Sequence, residues 1–311
     1  MIKIDLITGF LGSGKTTFLL QYGKYLMQQG LKIGILEYDY GALNVDMLLL
    51  NKLRGERCEL EMVAAACDED CLRRRFRTKL ISMAMTGYDR VIVEPSGVFD
   101  MDLFFDTVRD ETLENWYEIG SVITIVNANL RLDLGEEESF FLASQAAGAG
   151  CILFSRVQLS TPERIAQTKE YVEEAARKIQ CEPLRGTFLA KNWEELQPED
   201  FELLSSCGYH LSDYRKVIAG TKSDFSSLCF LDLPDDLDGM QKKIQELFGS
   251  DTYGEIIRVK GFVCDAHRGG CQINATRYEM LIDPLSIGQG AMVVIGRNLR
   301  AERIRELMAR T

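Results

Sequence analysis

Residues Gly9-Phe10-Leu11-Gly12-Ser13-Gly14-Lys15-Thr16 satisfy the pattern G-x-x-x-x-G-K-[ST] without a gap. The chemistry this spacing permits is phosphate binding. Glycines lack a Cβ, so successive backbone N–H groups can turn inward around phosphate oxygens. Lys15 is placed to reach the β- and γ-phosphates, and the Thr16 hydroxyl to ligate Mg²⁺. Thr17 continues the same turn, where the start of a helix adds its partial positive charge. The expected ligand is a nucleoside triphosphate, GTP or ATP, with Mg²⁺. A glycine-rich turn that holds no ligand is the bland alternative.

A phosphate cradle of this kind needs an acidic or water-positioning element at the tip of a neighbouring strand. The stretch RVIVEPSG, residues 90–97, supplies an apolar strand ending in Glu94 and then Gly97. Glu94 can hold a magnesium-bound water. The Gly97 N–H can meet a γ-phosphate and move when that phosphate leaves. A buried strand ending in a Pro-Ser-Gly turn would explain the turn but not the acid at its mouth.

The elements that must position these residues follow an alternating pattern. Residues 2–8 read as a first strand. Residues 16–29 carry Phe18, Leu19, Tyr22 and Leu26 at helical spacing and stop at Gly30. A strand at 31–37 follows, then a helical stretch to about residue 85. Further strands are expected at 90–94, 121–127 and 150–155, a helix at 162–179 and a strand at 183–190. Strands alternating with helices predict an α/β fold, a P-loop NTPase with a largely parallel central sheet. The expected first domain is 1–205, with a polar linker at 206–227. From 228 to 311 the order strand, helix, three strands, helix predicts a small C-terminal α+β domain on an antiparallel sheet.

Composition narrows the function classes. The 46% apolar and 27% charged shares are those of a globular protein, and no apolar run reaches the ~18 residues needed to span a bilayer. The start lacks a secretory pattern, so a cytoplasmic location with no membrane partner is expected. A net charge of −11 works against nucleic acid as partner, because phosphate neutralisation needs clustered Lys and Arg. Arg73-Arg74-Arg75, with Arg77 and Lys79, is the local exception and reads as a solvated helix face. Nine scattered cysteines favour thiols or a metal site over a disulfide framework.

GFLGSGKTT, YDYGALNVD, VIVEPSG and the C-terminal IIRVKGF with VVIGRNL together resemble the CobW family of P-loop GTPases. These are metallochaperone-type proteins related to those that deliver nickel to urease and hydrogenase. The resemblance implies nucleotide binding and hydrolysis coupled to delivery of a metal ion or metal cofactor to a client metalloprotein. A second copy of the chain is a further candidate partner. Asp46 matches the family's switch aspartate, which implies a place in the magnesium shell. Three departures stand out. The family's Asn-Glu-Phe-Gly-Glu is here Tyr38-Asp39-Tyr40-Gly41-Ala42, its Cys-x-Cys-Cys is AAACDEDC with Cys67 and Cys71, and no His-rich stretch is present.

Ser155-Arg156-Val157-Gln158 falls where the family carries Asn-Lys-x-Asp. The Asp of that motif accepts from guanine N1–H and N2–H₂, and charge-assisted bonds of this kind are worth about 1.5–3 kcal/mol. Gln158 is neutral, with one acceptor and one donor group, and matches an adenine edge at least as well. Arg156 can lie flat over either base. Relaxed base selectivity is therefore expected, unless the loop no longer touches the base.

Cys67 and Cys71, with an acid such as Glu37 or Asp39, could hold Zn²⁺ or another borderline metal. Equally, the acids between those cysteines could simply favour a helix N-terminus. Cys264, His267 and Cys271 cluster at an expected hairpin turn, but their spacing fits no standard zinc pattern. The leading reading is an NTP hydrolase with slow intrinsic turnover, since no arginine finger is evident in cis. A nucleotide-gated binding switch with little hydrolysis is the alternative, and a small-molecule kinase ranks last.

Overall fold

The computed structural model describes residues 1–38, 45–63, 69–181, 183–216, 225–231, 233, 236–265, 269–284 and 290–310. The chain divides into two units: Met1–Asp39 with Leu49–Ala219, and Tyr40–Leu48 with Gly220–Thr311.

In chain order the elements begin β1 (Ile2–Thr8), α1 (Lys15–Gln28), β2 (Ile33–Tyr38), α2 (Val45–Leu50) and β3 (Cys58–Val63). They continue α3 (Glu69–Ala84), β4 (Arg90–Pro95), α4 (Met101–Val108), β5 (Tyr117–Asn127) and α5 (Glu136–Ala147). The first unit closes with β6 (Cys151–Ser155), α6 (Pro162–Lys178), β7 (Thr187–Leu189) and α7 (Pro198–Ser205). Among the described residues, its strands form one sheet in the order β3-β2-β4-β1-β5-β6-β7. Every pairing in it is parallel.

The central strands are buried on both faces, as parallel strands between helical layers must be. Phe18, Leu19, Tyr22 and Leu26 of α1 fill one face with Ile7, Ile35 and Ile92. Leu72, Phe76 and Leu80 of α3 and Phe104 of α4 fill the other with Leu36, Val91 and Val93. The expected helix reaching to residue 85 is in part a strand. CELEMV at 58–63 alternates apolar and acidic residues, the period-two pattern of a strand with one covered face, and β3 lies at the sheet edge beside β2.

Residues 206–216 stay on this unit. The His210 N–H donates to the Gly148 carbonyl at 3.1 Å. The Tyr214 hydroxyl donates to Asp102 at 3.0 Å, and Lys216 pairs with Asp102 at 2.5 Å and Asp100 at 3.0 Å.

The second unit carries β8 (Phe225–Leu231), α8 (Leu237–Gly249), β9 (Glu255–Asp265), β10 (Gly269–Ala275), β11 (Met280–Pro284), β12 (Ala291–Arg297) and α9 (Ala301–Ala309). Its antiparallel sheet has the order β11-β10-β9-β12-β8. The second of the three strands expected between the two helices is itself two, β10 and β11. The Thr276 N–H donates to the Glu279 carbonyl at 2.7 Å and turns the chain between them. Met240, Ile244 and Leu247 of α8 and Ile304 and Leu307 of α9 pack with Val259, Ile273 and Val294 to form its core. Among the described residues, no helix is long and apolar enough to cross a membrane.

Candidate nucleotide site

The phosphate cradle lies between the end of β1 and the start of α1. Its backbone demands glycine. Gly9 has φ +147°, and a Cβ there would lie 2.3 Å from the Ile125 carbonyl oxygen, so an alanine would meet both strain and a clash. Lys15 is 7% exposed, and its Nζ donates to the Gly9 carbonyl at 2.9 Å. The ammonium is thereby folded over the loop that phosphates would fill. Three buried hydroxyls, of Thr8, Ser13 and Ser155, have no hydrogen-bond partner among the described residues. Buried polar atoms of this kind need a partner, and a bound phosphate beside the loop would offer acceptors to them.

The second half of the site comes from β2 and β4, which pair with Glu37 opposite Glu94. Thr16 Oγ1 donates to Glu94 Oε1 at 2.6 Å. Glu37 and Glu94 are 2% and 3% exposed, and carboxylate oxygens of the two lie within 4.8 Å of each other. Two buried carboxylates this close repel unless a cation lies between them or one takes a proton. The donor set of Thr16 and these acids fits a hard divalent cation such as Mg²⁺.

Gly97 touches the cradle from the other side. A Cβ at this position would lie 2.5 Å from the backbone nitrogen of Leu11, so only glycine lets the turn after β4 press against the loop. The Gly97 carbonyl accepts from Gln145 Nε2 at 3.1 Å. The same turn runs into α4, where Asp100 caps the helix by accepting from the Asp102 N–H at 3.0 Å.

The base-side turn leaves β6. Counting β3, this is the sixth strand in the chain rather than the fifth. Arg156 sits at φ 56°, a left-handed kink that ends the strand and opens a 3₁₀ turn, Val157–Leu159. Gln158 is exposed and Arg156 half-buried. Two residues that the sequence reading missed hold this turn. Trp193 Nε1 donates to the Phe154 carbonyl at 2.9 Å, and Asn129 Nδ2 donates to the Leu159 carbonyl at 3.2 Å. Each contact joins residues more than 25 positions apart, beyond any motif spacing. An amide-bearing residue soon after β5 was the one available signal.

Asp46 belongs to the second unit, where its carboxylate accepts from Lys260 Nζ of β9 at 2.5 Å. Asp39, Cys67 and His267 lie outside the described residues. Cys71 is half-buried on α3. The structure does not bring Cys264 and Cys271 together. Cys271 pairs opposite Val263 with both buried in the core of the second unit, whereas Cys264 is the next residue along β9 and exposed. Alternation along a strand puts the two thiols on opposite faces of the sheet. The described cysteines form no disulfide.

The model of the CobW/HypB/UreG nucleotide-binding domain matches residues 3–182, a span that includes the cradle, Glu37, Glu94, Gly97 and the base-side turn. The chain is 26% identical over 163 residues to the zinc chaperone YeiR of Escherichia coli, covering 52% of this chain and 49% of YeiR, about half of that relative's length. It is 24% identical over 278 residues to the zinc chaperone YjiA of E. coli, covering 84% of this chain and 81% of YjiA. The crystal structure of Zn(II)-bound YjiA GTPase from E. coli aligns over 99% of this chain and 98% of that one, at 20% identity and a TM-score of 0.42.

Proposed function

We propose, from the premise that the chain belongs to the CobW/HypB/UreG nucleotide-binding family, that it is a slow P-loop nucleoside triphosphatase. Its nucleotide cycle would load or release a metal for a client protein. The observation that carries this reading is the assembled pair of Thr16 Oγ1 and Glu94 Oε1 at 2.6 Å, beside a buried Lys15. These groups come from β4 and the first turn of α1, and they meet where the terminal phosphates of a nucleotide would lie.

In that reading the backbone N–H groups of residues 9–16 hold the phosphates, and Lys15 leaves the Gly9 carbonyl to follow charge on the β- and γ-oxygens. Glu94 orients water for in-line attack, while Gly97 tracks the presence of the γ-phosphate. Thr16 and Glu94 would hold Mg²⁺, whose charge offsets that of the phosphates. Turnover is read as slow because the sequence shows no arginine finger in cis; on α3, Arg73 pairs with Asp106 and Arg77 with Asp110 at the surface. Base selectivity is relaxed, because a neutral Gln158 stands at the position of the guanine-reading acid.

The cargo is read as zinc or another borderline divalent metal, a reading supported by the zinc chaperones among the relatives. Metal analysis of the purified protein, with and without bound nucleotide, tests the coupling. Retained metal whose stoichiometry changes with nucleotide supports it. No metal in either state, after loading with zinc at low micromolar concentration, would reject it.

A second reading, a nucleotide-gated switch that scarcely hydrolyses, is supported by the altered switch segment, where Tyr38 and Ala42 stand in place of the family's Asn and Glu. Single-turnover phosphate release separates the readings, since a rate no faster than that of free nucleotide selects the switch.

A further inference from the structure

Trp193 opens a 3₁₀ turn, Trp193–Glu195, that follows β7. Three contacts fix its ring. The indole N–H donates to the Phe154 carbonyl at 2.9 Å. The ring meets Phe18 of α1 at a centroid distance of 5.5 Å and a tilt of 60°. A Cβ built on Gly14 would lie 3.3 Å from Cη2 of the indole and 3.8 Å from the Ser155 Cβ. Gly14, with φ +101°, is the last glycine of the phosphate loop, and Phe154 lies two residues before Arg156. One side chain therefore lies beside the phosphate cradle at one edge and bonds the root of the base-side turn at the other.

We infer that Trp193 is the positioning residue that sets the spacing between the phosphate cradle and the base-side turn, and that it registers nucleotide occupancy through its indole. The inference rests on the reading of residues 9–16 as a nucleotide site and deepens it. In a nucleoside triphosphate the base and the phosphates are joined through one ribose, so both sets of contacts form together only if their separation is right. The glycines fix the phosphate set by themselves. The base-side turn is three residues long, has an exposed Gln158, and depends on what braces its root. The Trp193 N–H on the Phe154 carbonyl is such a brace, and the ring against Gly14 and Phe18 ties it to the cradle.

The effects divide by ligand. Removing the ring leaves the loop glycines and Lys15 in place, so a ligand with phosphates but no base loses little. Trp193→Ala should weaken binding of GTP and ATP by about tenfold or more, the scale of a lost buried hydrogen bond with its packing. Inorganic tripolyphosphate binding should change by less than about twofold. Trp193→Phe keeps an aromatic ring against Gly14 but cannot donate to Phe154, so its loss for nucleotides should fall between wild type and alanine, at about threefold.

The chain has only one other tryptophan, Trp116, which is 38% exposed. In a Trp116→Phe background all indole emission reports Trp193. That emission should shift on adding nucleotide, and acrylamide quenching should fall.

Calorimetric titration of the full-length chain and its variants with tripolyphosphate, ATP and GTP provides the test, with the emission measurement needing no change at residue 193. Equal losses for tripolyphosphate and nucleotides in Trp193→Ala would overturn the inference, since they would mark a packing role for the whole cradle. Emission and quenching unchanged at saturating nucleotide would overturn it as well, even if the alanine variant did not fold. Failure of the wild-type chain to bind either ligand class would instead bring down the nucleotide-site reading, and this inference with it.

Discussion

At the phosphate end of the site, position is set by backbone. Gly9 has no room for a Cβ against the Ile125 carbonyl, Gly97 none against Leu11, and Lys15 is almost fully buried over the loop. At the base end, position is set by side chains. Arg156 and Gln158 ride on a short 3₁₀ turn whose root and tip are held by Trp193 and Asn129. Backbone geometry tolerates almost no substitution, whereas side-chain bracing can be exchanged for another brace from elsewhere in the chain. In the proposed site the phosphate end is thus held to one backbone arrangement, while the base end can be braced in more than one way.

The largest expected effect tests that commitment. Lys15→Ala removes the cation aimed at the terminal phosphates and should cut single-turnover phosphate release by about 10³-fold, measured with saturating nucleotide. Unchanged release would break the comparison, because the phosphate end would then not be where the chemistry occurs. Gly97→Ala comes next. Its new methyl group would meet Leu11 at 2.5 Å, so the turn or the loop must yield. Release should fall by about 10–100-fold, with a loss of roughly 1–3 kcal/mol in denaturant-measured stability. An alanine variant with wild-type turnover would show that the turn does not need to touch the loop.

A third test probes the rigidity of the sheet that carries both ends. Burial pushes the Cys58 and Cys151 thiols up to about 12, and the Cys207 thiol up to about 11. A raised value keeps the neutral thiol dominant at lower pH, so the reactive thiolate is scarce at pH 8 and grows about tenfold per pH unit towards those values. Among the described cysteines, exposed Cys264 should alkylate first, with Cys58 and Cys151 last, as mapped by mass spectrometry. Early labelling of Cys151 at pH 8 would mean that β6, the strand carrying the base-side turn, opens readily, and the contrast between the two ends would blur.

The same contrast explains what could be read from the sequence. The cradle is one contiguous run whose order alone implies strand, turn and helix, and RVIVEPSG is nearly as compact. The parallel α/β core followed from apolar runs separated by helical periodicity. Strand β3 escaped because its acidic alternation looks like a solvated helix unless β2 is known to lie beside it. Trp193 carried no local signal and Asn129 only that of an amide soon after β5, since the contacts that matter run to Phe154 and Leu159. Asp46 could be matched to a switch position, but its ion pair with Lys260 lies 214 residues away in sequence. Cys264 and Cys271 looked like neighbours because seven positions is a short separation. The register of β9 against β10 puts them on opposite faces.

The smallest effect, and the sharpest test of the base end, is expected from Gln158→Asp. The wild-type chain should bind ATP and GTP within about tenfold of each other in a competition titration, because the charged pair worth about 1.5–3 kcal/mol is missing. Restoring the carboxylate should turn preference towards GTP, by giving both guanine donors an acceptor. Gln158 is exposed, so water competes for these bonds and the gain should lie near the lower limit, about tenfold in the GTP-to-ATP ratio. Because the turn is already held by Trp193 and Asn129, the absence of an amide at Ser155 should not prevent the new carboxylate from reaching the base. Two outcomes would count against this account. A wild-type preference for GTP of several hundredfold would mean that guanine is read by other groups, with the loop after β7 the nearest source. An unchanged ratio in Gln158→Asp, with both nucleotides still bound tightly, would mean that the Val157–Leu159 turn does not reach the base and that the contrast lies between a reading end and an idle one.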